Sequence, residues 1–171
     1  MNIKEVLFFC YGNARSASTW SNVPYCFVKA LENCGYKVSC VNIAPSKKLN
    51  DIWNSSVKRI FNIISRGNLY YFERSILARS IVNGKIRKAI NSNKTADLCI
   101  FTSFSYWNKF DSRPSLLLCD WTFEMLLKDR LHRNPFFFEK WSINSQNRAI
   151  DSATIVVSLF KESAERMKRS K

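Results

Sequence analysis

The chain has 171 residues, of which 46% are hydrophobic and 14% aromatic. This length fits one domain, and this apolar content can build a core, which excludes a disordered chain. The 27 Lys and Arg residues exceed the 13 Asp and Glu residues, and the formal net charge is +14. Such a basic protein is expected to meet polyanions: nucleic acid, anionic lipid head groups or phosphorylated small molecules.

The N-terminal part of the chain has the pattern of a βαβ unit. A continuous apolar run at 6–10 predicts a strand buried on both faces, followed by a polar loop. Asn22 and Pro24 predict the start of a helix, and Gly35 predicts its end. The alternating residues 37–43 predict a second strand, reached by a right-handed crossover.

The rest of the chain alternates between helical and strand-like segments. Residues 49–93 have helical character, with breaks expected at Gly67 and at Asn83-Gly84. Apolar runs predict strands at 97–102, 114–119 and 153–157, and helices are predicted at 122–131, 134–150 and from 160 onward. The sequence therefore predicts the α/β class: a single domain over 1–171 with a Rossmann-like open parallel sheet and helices on both faces.

Sheets of this class bind ligands beyond the carboxyl ends of their strands. The rule selects the residues that follow each predicted strand. They are 12–20, 44–48, 102–106, 120–122 and Ser158.

The loop after the first strand raises the alternative of a phosphatase. Cys10 and Arg15 nearly match the low-molecular-weight tyrosine phosphatases, in which a thiolate attacks phosphorus and an arginine holds the phosphate oxygens. The spacing here is C-x4-R where that family has C-x5-R, and the chain has no late Asp-Pro pair to supply a general acid. The other interpretation is that Cys10 is the last core residue of the strand.

Metal and cofactor motifs are missing from the sequence. The six cysteines form no C-x-x-C pair, and His132 is the single histidine, so no metal site is expected. No G-x-G-x-x-G occurs either, and we expect no bound cofactor.

Asp120 stands at the end of the apolar run 116–119, where the predicted crevice lies. A carboxylate at this place could orient a sugar hydroxyl or accept a proton. The alternative is that Asp120 caps a helix that begins near Thr122. One residue can serve both purposes.

Basic residues between 58 and 88 alternate with apolar and aromatic ones. Amphipathic basic helices of this kind lie on anionic membranes, whereas the common alternative is a solvated helix face. No nucleic-acid motif is present, so lipid head groups are preferred to nucleic acid as the partner. The bulky residues 136–138 and Trp141 cannot all face one core, and part of them is expected to contact a neighbour or a membrane interface.

Several segments together resemble a known family. They are Gly35-Tyr36-Lys37-Val38, 96–100, 116–123 and 151–158. In this order they look like the N-terminal half of a retaining glycosyltransferase of the GT-B type, in the broad glycosyl transferases group 1 family. Two departures are Ser16-Ala17-Ser18 in place of the family's Gly-Gly pair, and Asp120 where histidine is frequent.

The resemblance implies an acceptor-binding N-terminal domain that works with a C-terminal domain holding a nucleotide-sugar donor. The second domain is not in this sequence, so the chain alone is expected to be inactive and to need a C-terminal domain or chain as partner. The implied reaction moves a sugar to a hydroxyl of a glycan or lipid-linked saccharide, as in polysaccharide biosynthesis. Relatives that sit on membranes through a basic domain imply a cytoplasmic, peripheral location. A non-catalytic module that docks on an anionic membrane or a protein is the alternative.

The resemblance also suggests roles for particular residues. Asp120 is the expected catalytic residue, which meets the transferred sugar. The residues expected to face the donor phosphates are Gly12, Asn13, Ser16 and Ser18, and those expected to bind the acceptor are Arg15, Thr102, Ser103 and Trp107. The residues expected to face the membrane are Lys58, Arg59, Arg66, Arg74 and Arg79.

Overall fold

The computed structural model describes residues 3–64 and 71–169. Strands and helices alternate within these ranges. The strands are β1 (Glu5–Cys10), β2 (Lys37–Asn42), β3 (Leu98–Phe101), β4 (Ser115–Cys119) and β5 (Ile155–Ser158). The helices are α1 (Val23–Asn33), α2 (Lys47–Ser55), α3 (Val57–Ile64), α4 (Ile76–Ser92), α5 (Phe123–Met125), α6 (Phe137–Ser152) and α7 (Lys161–Arg169).

The described strands form one parallel sheet in the order β2-β1-β3-β4-β5. Phe8 of β1 lies beside Cys40 of β2 and Ile100 of β3, and Leu117 of β4 lies beside Val156 of β5. The predicted fold class, α/β with a Rossmann-like open parallel sheet, is confirmed. The strand order reverses between β1 and β3, which is where a doubly wound sheet opens a crevice beyond its strand ends.

Helices cover both faces of the sheet. On one face Val82 and Ile86 of α4 and Ala149 of α6 belong to a core with β1, β3 and β4, whereas Val28 of α1 packs with Phe8 on the other face. Residues 6–10 of β1 are almost completely buried because this strand is covered on both sides. That burial explains why β1 is a continuous apolar run rather than an alternating one.

Two helix predictions need correction. The expected break at Gly84 is wrong, because α4 runs through it, held by a buried stripe that includes Val82 and Ile86. Gly67, the other expected break, lies outside the described residues. The helix predicted from 134 begins at Phe137.

The late start of α6 has a side-chain cause. The Phe136 N–H donates to the Glu139 carboxylate at 3.0 Å, and the Arg133 guanidinium donates to the same carboxylate at 2.6 and 2.7 Å. Glu139 therefore caps the helix from its first turn and buries an ion pair there. Within the described ranges, no helix is both long enough and apolar enough to cross a bilayer.

Candidate functional site

A cleft of about 460 Å³ opens at the carboxyl ends of the strands. Its walls come from the segments that follow β1, β3, β4 and β5, together with the turn before α4 and one residue of α6. The polar and aromatic residues that line it include Tyr11, Glu73, Arg74, Ser103, Ser105, Tyr106, Asp120, Trp121, Phe123, Arg130, Gln146 and Phe160. The cleft therefore lies where the sequence predicted a ligand site for this class of sheet.

Asp120 lines this cleft at the end of β4. Its Oδ1 accepts the Trp121 N–H at 2.8 Å and lies 3.3 Å from the Cys119 thiol. Among the described residues it forms no ion pair and its Oδ2 accepts no hydrogen bond. The helix cap is Thr122, whose Oγ1 accepts the Met125 N–H at 3.2 Å, so the alternative of Asp120 as the cap is wrong.

Two arginine side chains lie against aromatic rings of the segment that follows β4. The Arg74 guanidinium is 3.6 Å from the centre of the Phe123 ring, and the Arg130 guanidinium is 5.7 Å from the centre of the Trp121 ring. Burial lowers the pKa of Arg74, although a guanidinium stays charged near neutral pH. The cleft thus combines guanidinium groups with the carboxylates of Glu73 and Asp120.

Two tyrosines meet where the strand order reverses. The hydroxyls of Tyr11, after β1, and Tyr106, after β3, are 2.9 Å apart. Burial raises the pKa of both hydroxyls, which therefore stay protonated. Arg79 packs beside this tyrosine pair. Its guanidinium donates to the Ser105 carbonyl at 2.9 Å and lies 5.1 Å from the Tyr106 ring centre.

Gln146 of α6 joins the loops that follow β3 and β4. Its Oε1 accepts the Phe123 N–H at 2.6 Å, and its Nε2 donates to the Ser105 Oγ at 3.3 Å. Sequence reasoning missed Gln146, because nothing in the middle of a helix indicates which loops will pack beside it. Trp121 lies within the range 120–122 that the strand-end rule selected, whereas Tyr11, which directly follows β1, was left out of the selected range 12–20.

The residues expected to face donor phosphates do not line this cleft. The Gly12 N–H donates to Asn42 Oδ1 at 3.0 Å, and Asn13 Oδ1 accepts the Arg15 N–H at 3.0 Å. The hydroxyls of Ser16 and Ser18 bond each other at 2.8 Å. The loop after β1 contributes Tyr11 to the cleft, and these polar groups are bonded within the loop or to Asn42.

The residues expected to bind the acceptor are divided by the structure. Ser103 lines the cleft. Arg15 lies elsewhere, with its guanidinium 2.6 Å from Glu32 of α1 and donating to the carbonyl of Val38 at 3.1 Å. Thr102 extends the sheet by donating its N–H to Phe9 at 3.0 Å. Trp107 packs against the core. The structure therefore does not bring these four residues together.

The expected membrane-facing residues also separate. Arg74 lines the cleft and Arg79 lies between the rings of Tyr106 and Trp141, so these two do not form an outward basic face. Lys58 lies over the Tyr71 ring at 4.8 Å, and Arg59 is exposed. Arg66 lies outside the described residues.

Cys10 has the environment of a core residue. Its side chain is 1% exposed, and its thiol donates to the Gly12 carbonyl at 3.2 Å. Burial raises the pKa of Cys10 to about 11, whereas a catalytic cysteine needs a lowered pKa. Since Arg15 is also bound to Glu32, the geometry argues against the phosphatase alternative.

No protein-family model matches the chain, and comparisons with curated proteins and with solved structures return no match. Within the described residues, no group of His, Cys, Asp and Glu is arranged to hold a metal ion.

Proposed function

We propose that the cleft binds a sugar and that the chain supplies the acceptor side of a glycosyltransferase. The observation that supports this most directly is the Asp120 carboxylate at the end of β4, inside the cleft and outside any ion pair of the described residues. A carboxylate accepts several hydrogen bonds, and neighbouring hydroxyls of a sugar ring can donate them. In the proposed reaction Asp120 orients the sugar that is transferred. The acceptor hydroxyl oxygen forms a bond to the anomeric carbon, the bond from that carbon to the nucleoside diphosphate breaks, and the hydroxyl proton passes to the released diphosphate.

The aromatic lining of the cleft supports the same proposal. The rings of Trp121 and Phe160 are 6.3 Å apart and nearly perpendicular, at 67°. Each ring offers an apolar face on which the C–H face of a pyranose can pack, while the polar groups of the cleft fix its orientation. The donor nucleotide would need a second wall, which the expected C-terminal partner would provide.

Binding of sugars tests the proposal. Saturation-transfer NMR and calorimetry with a panel of methyl glycosides and disaccharides should identify a ligand, and Asp120→Asn should weaken it about tenfold or more, because a charge-assisted hydrogen bond is lost. Asp51→Asn is the matched control, since Asp51 is exposed on α2 and does not line the cleft. Equal affinity of Asp120→Asn and the unmodified chain would contradict the proposed site.

Catalysis is tested with a separate donor domain. The chain is mixed with labelled nucleotide sugars and saccharide acceptors, with and without a candidate C-terminal half. We expect transfer only in the complete mixture. No turnover in either mixture, together with no sugar binding, would contradict the proposed activity.

A second part of the proposal concerns the membrane. The rings of Phe61 in α3 and Phe138 in α6 are 4.9 Å apart, so these two helices meet at this ring contact. Ile63 of α3 is 81% exposed and Phe137 of α6 is 76% exposed. Apolar side chains next to basic ones, such as the exposed Arg59, suit the interface of an anionic bilayer.

Vesicle co-sedimentation tests this docking. The chain should bind vesicles of phosphatidylglycerol and phosphatidylcholine and release them at high salt, and Ile63→Ser should weaken the binding. Ile155→Ser is the control, because Ile155 is 51% exposed at the start of β5. Equal, salt-insensitive binding to purely zwitterionic vesicles would contradict an electrostatic contribution.

A further inference from the structure

The hydroxyl pair of Tyr11 and Tyr106 has one more hydrogen than the pair itself can use. A phenol hydroxyl carries one hydrogen, and in a bond between two hydroxyls only one of the two hydrogens lies between the oxygens. The two oxygens are 2.9 Å apart, so one tyrosine donates to the other. Neither hydroxyl has another hydrogen-bond partner within residues 3–64 and 71–169. One O–H of the pair is therefore left as a donor without an acceptor.

The surroundings of the pair give this unused O–H an energetic penalty. Tyr106 is only 3% exposed and belongs to the core, and both tyrosines line the cleft. A buried donor that lacks an acceptor is destabilising, and such groups are rare in folded proteins. Both hydroxyls stay protonated near neutral pH because burial raises their pKa. A ligand that brings an acceptor oxygen into the cleft would remove this penalty.

The acceptors around the tyrosine pair already have hydrogen-bond partners. The Ser105 carbonyl accepts from Arg79 at 2.9 Å, and the Ser105 Oγ accepts from Gln146 at 3.3 Å. Glu73, which also lines the cleft, accepts from Asn50 at 3.5 Å and bonds neither tyrosine in the described part of the chain. A ligand hydroxyl placed here would accept from a tyrosine but would need an acceptor for its own hydrogen. A carbonyl oxygen carries no hydrogen and has no such need.

The charges of the cleft favour a neutral carbonyl group over a carboxylate. The lining contains two carboxylates, Glu73 and Asp120, and two guanidinium groups, Arg74 and Arg130. These formal charges cancel, so the lining as a whole selects neither cations nor anions. An acetamido substituent brings a neutral carbonyl oxygen to a sugar ring, and its methyl group can pack on an aromatic ring.

Tyr11 and Asp120 lie within reach of one sugar. Phe9 of β1, Phe101 of β3 and Leu117 of β4 are level in the sheet. Tyr11 and Asp120 follow β1 and β4, which are two strand spacings, about 10 Å, apart. One monosaccharide with a substituent can span the gap left between the two side chains, and the cleft volume of about 460 Å³ is in the range of small-molecule sites.

From these observations we propose that the cleft takes an acetamido sugar, whose carbonyl oxygen accepts the unused O–H of the Tyr11–Tyr106 pair. The ring hydroxyls of the same sugar donate to Asp120. This inference rests on the proposed function for the sugar at Asp120 and adds the class of that sugar. The tyrosine pair determines specificity and takes no part in making or breaking bonds.

Calorimetry with methyl glucoside, methyl N-acetylglucosaminide and methyl glucuronoside tests the inference. The N-acetylglucosaminide should bind about tenfold more tightly than methyl glucoside, because it gives the buried O–H an acceptor. The double variant Tyr11→Phe/Tyr106→Phe should remove most of this preference, with its thermal unfolding measured to establish that it folds. Tyr25→Phe should preserve the preference, because Tyr25 is on α1 and does not line the cleft.

The outcomes separate this inference from the proposed function. If methyl glucoside and methyl N-acetylglucosaminide bind equally well and Asp120→Asn weakens both, the inference is overturned while the sugar site stands. Tighter binding of methyl glucuronoside than of the N-acetylglucosaminide would also overturn it, because the preferred carbonyl would then belong to an anion. A preference that the folded double variant keeps would overturn the role of the tyrosines. If none of the glycosides binds, the proposed function fails together with the inference.

Discussion

The loops after β1 and β4 leave the same edge of one sheet but use their polar groups differently. In the first loop the Gly12 N–H is bound by Asn42, and Thr19 Oγ1 donates to the Asn13 carbonyl at 2.7 Å. In the second, the Asp120 carboxylate and the Trp121 ring line the cleft. A residue that follows a strand can be reached by a ligand at this edge of the sheet. Which loop can bind the ligand depends on the polar groups that are not already hydrogen-bonded within the protein.

The ion pair of the first loop and the ion pair at the start of α6 differ in their exposure to water. Arg15 and Glu32 hold the first loop with side chains that are 48% and 28% exposed, whereas Glu139, which pairs with Arg133 at the start of α6, is 3% exposed. When one partner of a buried ion pair is removed, water cannot hydrate the charge that remains. The region behind the cleft should therefore be the more sensitive to substitution.

The largest expected effect comes from that buried pair. Glu139→Gln should lower the free energy of unfolding by about 3–5 kcal/mol, because Arg133 keeps a charge without its carboxylate. Glu32→Gln, the matched change in the exposed pair, should cost about 1 kcal/mol or less. Urea denaturation measures both. An equal, small decrease in the free energy of unfolding in both variants would contradict the contrast between the two regions.

The next effect concerns the residue that joins the loops of the cleft. Gln146→Leu should lower the free energy of unfolding by about 1–3 kcal/mol, because the buried Phe123 N–H loses its acceptor. It should also weaken sugar binding, since the hydrogen bonds of Gln146 no longer link Phe123 to Ser105. Asn144→Leu, at an exposed position of α6, should change stability by about 0.5 kcal/mol or less. A Gln146→Leu variant with full stability and binding would show that the link is unimportant.

A smaller effect is expected in the first loop. Gly12 has a φ of +103°, and an added Cβ would lie 3.3 Å from the Thr19 Cγ2, so Gly12→Ala should cost about 1–2 kcal/mol. Gly84→Ala is the control, because this glycine lies within α4 with open space around it and should gain about 0.5–1 kcal/mol. Calorimetric ligand binding should be unchanged in both variants. Loss of sugar affinity in Gly12→Ala would indicate that the first loop contributes to the sugar site.

The smallest effect near neutral pH concerns the Cys10 thiol. Because burial raises its pKa to about 11, the stability it contributes is fully present below the pKa of an unfolded cysteine, about 8.5, and is lost as the pH rises toward the folded value. Iodoacetamide should therefore alkylate the exposed Cys26 and Cys34 of the folded chain and leave Cys10 unmodified. Rapid alkylation of Cys10 at neutral pH would revive the phosphatase alternative.

The strands and the strand-end rule were predictable from sequence because they depend on local patterns. The run at 6–10 indicated a doubly covered strand, and Asp120 was selected because it follows such a run. Gly84 misled the prediction, since weak helix propensity was overridden by the buried stripe of α4.

The companions of Asp120 could not be predicted in the same way. Arg74, Arg130 and Gln146 come from separate helical segments, and their meeting at one cleft is set by how the helices pack on the sheet. Arg74 even carried a pattern typical of an outward basic face. Periodicity shows which side of a helix is apolar, but it does not show which loop a charged residue at its end will meet.

Chemical-shift mapping of the amide NMR spectrum during titration with a methyl glycoside tests the central claim, a sugar site beside Asp120, most directly. The account predicts that the largest shifts fall on residues 103–106 and 120–123, on Arg130 and on the indole N–H of Trp121, with residues 12–19 little changed. Shifts concentrated in residues 12–19, with the segment after β4 unmoved, would contradict it.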